Sequence, residues 1–131
     1  MEIEIRTVDN AIDWLLIQSL LDWISSSELC SAAIELSQFQ TQWDRYEAVR
    51  EILTALCGRG LAEVGGVSEG VFVKWGGSLE EAIVRVNREW HELGRHPYPD
   101  EICWIQATPA GSVLAEDAEV RYPNPPDWLD S

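Results

Sequence analysis

Two histidines and two carboxylates come nearest to a metal or acid–base cluster in this 131-residue chain. His91 and Glu92 fall in an amphipathic segment, and His96 and Asp100 follow a few positions later. The spacing is not HExxH, in which two histidines four residues apart on a helix hold zinc, and no second ligand pair stands at zinc spacing. We interpret both histidines as surface residues near the end of a helix.

The candidate nucleophiles carry no sign of activation either. Cys30, Cys57 and Cys103 lie far apart in apolar surroundings, without CxxC spacing. An odd number of separated cysteines is typical of buried thiols in a reducing compartment rather than of a disulfide framework. The chain also lacks a GxSxG motif, a phosphate-binding glycine loop and a paired-carboxylate signature. We therefore expect a protein that is not an enzyme, with no catalytic residue, no metal site and no cofactor.

Charge is the strongest compositional signal. The chain has 23 acidic residues against 9 Lys and Arg, which gives a formal net charge of −14. Such a field repels phosphate backbones and anionic membranes and attracts basic proteins. Because 46% of the residues are apolar and seven are Trp, the chain is expected to fold around a real core rather than to stay disordered. The acidic surface is read either as a solubility feature or as a site for a basic partner.

The N-terminal region predicts the compartment. The opening MEIEIRTVD has neither a basic segment nor a long apolar run, so no signal peptide is expected. The apolar segment Ala11–Ile24 is interrupted by polar residues and is too short to span a bilayer. These features predict a cytoplasmic protein without a membrane segment.

Hydrophobic periodicity predicts three helices after a short strand. Period-two alternation marks the strand, and period-3.6 stripes mark the helices. A capping box opens the second helix, and glycines end the third. In chain order the elements are a strand over Glu2–Val8, a cap at Asp9 or Asn10, and helices over Ala11–Ile24, Glu28–Ser37 and Trp43–Cys57.

The second half predicts a hairpin, a helix, a strand and a last short helix. The hairpin has a glycine-rich turn. Ser78 caps the fourth helix, and Thr108-Pro109 opens the last one. The elements are strands over Leu61–Val64 and Val71–Trp75, a helix over Leu79–Leu93, a strand over Ile102–Ala107 and a helix to about Ala118.

Two sequence segments resemble parts of a known fold. ALCGRGLAEVGG resembles the passage from the third helix into the wing of winged helix-turn-helix domains, and WIQATPAGSVLAEDA resembles the strand, turn and helix that follow the wing. The resemblance implies an α+β, winged-helix-like fold with three N-terminal helices, a β-hairpin wing, an inserted fourth helix, and a C-terminal strand and short helix. We predict one domain over residues 1–118 and a proline-rich acidic tail over 119–131.

This resemblance implies DNA binding, but the charges argue against it. A winged helix places its third helix in the major groove and holds phosphates with Lys and Arg. Here the third helix is net negative, and the wing turn contributes no cation. A DNA-binding regulator is therefore kept as the alternative function, with nucleic acid contacts assigned to Arg45, Arg50, Arg59 and Lys74.

In size, acidity and lack of catalytic motifs the chain resembles the small immunity and antitoxin proteins of bacteria. That resemblance rests on no residue motif, and it implies inhibition of a basic, nuclease-like toxin. Acidic groups would steer such a partner, and exposed aromatic residues would anchor it. The predicted partner-binding surface is formed either by the helix carboxylates Asp9, Asp13, Asp22, Glu28 and Glu35 or by the C-terminal carboxylates Glu116, Asp117, Glu119, Asp127 and Asp130. Trp14 and Trp128 are the predicted aromatic anchors.

The tryptophans divide between core and interface. Trp75, Trp90 and Trp104 lie on the apolar phase of their elements and are predicted to be core. Trp14 lies on a helix that is apolar around most of its girth. We therefore also consider a homodimer formed through that helix.

Overall fold

The computed structural model describes residues 3–39 and 44–122. Within these residues the fold is α+β, with five helices and a four-stranded antiparallel sheet. In chain order the elements are α1 Val8–Gln18, β1 Ile24–Ser25, α2 Ser26–Phe39, α3 Arg45–Gly58, β2 Ala62–Ser68, β3 Val71–Lys74, α4 Leu79–Leu93, β4 Trp104–Ala107 and α5 Pro109–Arg121.

The strands are ordered β1-β4-β2-β3, so β4 lies between β1 and β2 and β3 is an edge strand. Strands β2 and β3 form a hairpin that closes with Ser68 opposite Val71. Its two-residue turn has φ of 52° at Glu69 and 78° at Gly70. Two consecutive positive φ values are the geometry that suits the twist of a tight hairpin. The predicted glycine-rich turn over Gly65–Gly70 is therefore shorter than expected, and β2 continues through the first two glycines.

Helix α1 lies at the centre of the fold. It packs against α2, α3 and α5, and its residues Leu15 and Leu16 are fully buried. The wide apolar girth of this helix is thus explained by neighbours within the chain. The girth no longer argues for a homodimer through this helix.

Local signals at the helix ends are largely confirmed. The backbone N–H of Ser25 donates to Glu28 Oε1 at 2.9 Å, and the N–H of Glu28 donates to Ser25 Oγ at 3.1 Å. Ser78 caps α4 by accepting from the N–H of Glu81, and Thr108 caps α5 ahead of its proline. Each cap satisfies donors that the first helical turn leaves unpaired.

The N-terminal region differs from the prediction. Ile3 and Ile5 are buried as the alternation indicates, but the stretch forms no strand in the described residues 3–8. Thr7, rather than Asp9 or Asn10, caps α1 by accepting from the N–H of Asn10. The helix also ends at Gln18 instead of Ile24. Its apolar pattern continues past the end because Ile24 is a fully buried residue of β1, paired with β4.

The C-terminal helix is longer than predicted. It runs to Arg121, so the first three residues of the predicted tail are helical. Tyr122 follows the helix, and residues 123–131 of that tail, including Asp127, Trp128 and Asp130, lie outside the described residues, as does Trp43. No helix of the described part is long and apolar enough to cross a membrane.

Candidate protein-binding surface

All nine Lys and Arg residues of the chain lie in the described part, and each is engaged by another side chain. Eight form salt bridges within 4.0 Å, and the ninth, Arg45, lies over two aromatic rings. The pairs are Arg6–Glu4, Arg50–Glu80, Arg59–Asp9, Lys74–Glu63, Arg85–Glu89, Arg88–Glu92, Arg95–Glu101 and Arg121–Asp13. The described surface therefore carries more carboxylates than cations, and each cation already contacts another side chain.

This engagement includes all four residues assigned to nucleic acid contacts. Arg59 lies 3.2 Å from Asp9, and Lys74 lies 3.2 Å from Glu63. Arg50 donates to Glu80, which raises the pKa of the arginine, first through the hydrogen bond with that carboxylate. Exposed pairs of this kind are weak and exchange with solvent. They nevertheless lower the positive potential that a phosphate would meet.

Helix α4 lies along α3 and holds both of the arginines that α3 carries. The guanidinium of Arg45 is 4.9 Å from the ring centroid of Trp90, which is buried. Asn87 donates to the backbone oxygen of Tyr46 at 3.1 Å. Because the N-terminal part of α3 meets Trp90 while Arg50 meets Glu80, the two helices run antiparallel. Helix α4 therefore covers one side of α3, the helix that the winged-helix prediction assigns to DNA recognition.

The uncovered side of α3 is acidic. Asp44 and Glu47 are exposed, and Glu51 is half-buried. None of the three forms a salt bridge among the described residues, although Asp44 caps α3 through the N–H groups of Tyr46 and Glu47. A face with this sign repels a phosphate backbone.

The first two predicted partner-binding carboxylates are neutralised within the chain. Asp9 pairs with Arg59, and Asp13 pairs with Arg121 at 3.3 Å. Asp13 also accepts from the Tyr122 hydroxyl at 3.1 Å, and burial is the main reason that the pKa of this tyrosine is raised. Asp13 thus fastens α5 to α1, and its side chain is only 16% exposed.

The next three have separate surroundings. Asp22 is exposed and accepts from the N–H of Trp23 at 2.7 Å. Glu28 is half-buried in the capping box of α2, so its carboxylate has a structural role. Glu35 is half-buried on α2, in an open depression of about 460 Å³ that Ser31 and His96 also line. The structure does not bring these carboxylates together into one acidic face.

Glu116 and Asp117 have the most open setting of the predicted set. Both are exposed on the outer side of α5, and neither forms a salt bridge within the described residues. Glu119, one turn further on, is also exposed. Large apolar residues on the same side of α5, Val113 and Val120, were missed at the sequence level because nothing in their spacing separates them from core residues.

The tryptophans are less clearly divided than predicted. Trp90 is buried and belongs to the core, as expected. Trp75 is half-buried with the guanidinium of Arg85 3.7 Å from its ring centroid. Trp104 is half-buried and meets Trp23 edge to face at 6.3 Å. Trp14, a predicted anchor, is half-buried and packs against the core. Trp128 lies outside the described residues.

The two histidines contact hydroxyl groups, and the cysteines are free thiols. Nε2 of His96 lies 3.2 Å from Ser27 Oγ, and Nδ1 of His91 lies 3.4 Å from the Tyr46 hydroxyl. Burial raises the pKa of the Cys57 thiol to about 11 and that of Cys30 to about 12, which keeps both protonated at neutral pH. In residues 3–39 and 44–122, no group of three or more His, Cys, Asp and Glu side chains is placed to hold a metal ion.

No protein-family model, no curated protein and no solved structure matches this chain.

Proposed function

We propose that this protein is a small acidic binding domain that acts by occupying a basic partner protein. The most specific form of the proposal is an immunity-type or antitoxin-type inhibitor of a basic, nuclease-like partner. The observation that carries it is the engagement of all nine cations within the chain, against a net charge of −14. Eight are in salt bridges, and Arg45 is packed over Tyr46 and Trp90. The excess carboxylates have no cation left inside the described residues.

The physical consequence of this surface is selective steering. Unpaired carboxylates attract a cationic protein over about one Debye length, roughly 8–10 Å at physiological salt. They repel nucleic acid, which would compete for the same cationic surface of a nuclease. An inhibitor with these charges would bind quickly and lose affinity as salt is added.

The test is capture of a partner by the intact, immobilised protein from a lysate of its source organism. Capture is carried out at about 0.1 M salt and release at about 1 M, where the Debye length falls from about 10 Å to about 3 Å. We expect a basic protein, identified by mass spectrometry, whose nuclease activity falls when the purified protein is added back. Recovery of acidic or neutral partners alone would contradict the proposal.

The alternative function is a winged-helix regulator that binds DNA. The order of three helices followed by a hairpin supports it. The charges of α3 do not support it. An electrophoretic shift with random-sequence and genomic DNA at low salt separates the two functions. Binding that is lost in the double variant Arg45→Ala, Arg50→Ala would favour the regulator.

A further inference from the structure

Helix α5 turns its small residues towards the core and its valines towards solvent, which is the reverse of the usual arrangement. The side that packs on α1 carries the small residues Gly111, Ala115 and Ala118, all buried. The opposite side carries Val113 and Val120, which are 61% and 83% exposed. Surface helices normally turn large apolar residues inward and polar residues outward. The two valines therefore lie on a surface that nothing covers within the described residues.

These valines share a stripe with two carboxylates. Val113, Glu116, Asp117 and Val120 follow the i, i+3, i+4, i+7 spacing that places side chains on one helix face. We call these four residues the outer stripe. At a rise of 1.5 Å per residue, its two valines stand about 10 Å apart with the carboxylates between them.

The turn after α1 lies beside the start of α5. Leu21 in that turn is 89% exposed. Residues Leu20 to Trp23 line an open groove of about 280 Å³ together with Ser112, the neighbour of Val113. Asp22 in the same turn adds a carboxylate that forms no salt bridge with any described residue.

We propose that the outer stripe of α5 is the surface on which the basic partner docks. The partner would supply two apolar side chains against Val113 and Val120 and one or two Lys or Arg residues against Glu116 and Asp117. This inference rests on the proposed function, since it locates the contact of that same partner.

Charge distinguishes this occupant from the two others that the chain itself offers. A second copy would set a carboxylate-bearing surface against an identical one, and every Lys and Arg of that copy is already engaged. The C-terminal segment of the same chain, residues 123–131, contains Asp127 and Asp130 but no Lys or Arg. A basic partner is the occupant whose charge complements the stripe.

The test compares two double variants with the partner identified by capture. Val113→Ser, Val120→Ser removes the apolar ends of the stripe. Val71→Ser, Val73→Ser makes the same changes on the edge strand β3, where the valines are 61% and 53% exposed. Affinity is measured with purified components by titration calorimetry. We expect the α5 variant to bind roughly tenfold or more weakly, and the β3 variant to bind like wild type.

A second pair of variants tests the carboxylates. Glu116→Gln, Asp117→Gln should weaken binding and reduce its salt dependence, whereas Glu47→Gln, Glu51→Gln on α3 should change the affinity little. If the β3 or α3 variants lose affinity and the α5 variants do not, the docking site is wrong while the proposed function stands. If wild-type protein captures no basic partner, both fail together.

A measurement on the free protein tests the occupant without any partner. Sedimentation analysis of wild type and of Val113→Ser, Val120→Ser is expected to give a monomer for both across a wide concentration range. A wild-type dimer that the α5 substitutions dissociate would show that a second copy covers the stripe, and would overturn the proposal.

Discussion

The substitution Gly111→Ala tests how closely α5 approaches the rest of the fold. An added Cβ would come 3.0 Å from the backbone carbonyl carbon of Leu61, closer still to its oxygen, and 3.4 Å from Leu16 Cδ2. The Leu61 oxygen cannot move away freely, because it accepts from the N–H of Thr108 at 2.9 Å. A methyl group at this position therefore forces α5 outward or breaks that hydrogen bond.

Two opposing effects set the magnitude. Ala is favoured over Gly in a helix by about 1 kcal/mol. Overpacking against a fixed backbone costs about 1–3 kcal/mol, and loss of the Thr108 hydrogen bond adds about 1 kcal/mol. The clash should win, with a net destabilisation of roughly 1–3 kcal/mol. For a chain of this size, that lowers Tm by about 4–11 °C.

Gly58→Ala is the matched control. Gly58 is the last residue of α3, and an added Cβ would meet no atom within 4 Å. Its stability should stay equal or rise by up to about 1 kcal/mol, since Ala restricts the unfolded chain. Urea titration followed by tryptophan fluorescence and thermal unfolding followed by circular dichroism measure both variants.

The contrary outcome is a Gly111→Ala protein as stable as Gly58→Ala. In that case α5 would not sit against Leu61 and Leu16 as closely as the structure places it. The orientation of the outer stripe would then lose its support, because the buried side of α5 is defined by that close approach.

Three further changes test other parts of the fold. Trp90→Ala should cost roughly 3–5 kcal/mol in urea titrations, because this indole is 1% exposed, and a small cost would mean that α4 does not belong to the core. The hydrogen bond from Arg95, the hydrogen bond from the N–H of Tyr98 and the charge of Arg95 together lower the pKa of Glu101 to about 2. These contacts favour folding above the ordinary carboxyl pKa and stop doing so as pH falls towards 2. In Arg95→Gln, NMR titration should show the Glu101 pKa moving back up, and an unchanged value would contradict the pairing. Gly65→Ala should unfold at lower urea than Gly66→Ala, because only its Cβ would approach the β3 backbone, 2.8 Å from a carbonyl carbon, whereas that of Gly66 meets its nearest atom at 3.9 Å. Equal midpoints for the two glycine variants would argue against the close β2–β3 contact.

Local signals located most of the helices. The capping boxes and the Thr108-Pro109 start depend on residues within one turn, so they are legible in the sequence. Helix α4 begins and ends as predicted, at Leu79 and Leu93. The prediction of an N-terminal strand was wrong. Alternation at Ile3 and Ile5 indicates that every second residue is buried, but it does not indicate whether a neighbouring strand is there to pair.

The candidate site was much less predictable. Asp9 and Asp13 stood out as free carboxylates because their partners are distant in the chain. Glu116 and Asp117 were identified, but the valines beside them were not. A valine in an amphipathic pattern is ordinarily assigned to the core, and only the packing of α5 on α1 turns Val113 and Val120 outward.

The sequence by itself determined the acidic excess, the caps of α2, α4 and α5 and the lack of a recognisable catalytic motif, since composition, caps and motifs are properties of residues near one another in the chain. Tertiary structure alone decided where the charge is available. Arg50 meets Glu80 across 30 positions, Arg59 meets Asp9 across 50, and Arg121 meets Asp13 across 108. Because ion pairing depends on distance in space, folding neutralised two of the predicted carboxylates and all of the predicted DNA contacts except Arg45, which it placed over aromatic rings. It left Glu116 and Asp117 exposed between two valines.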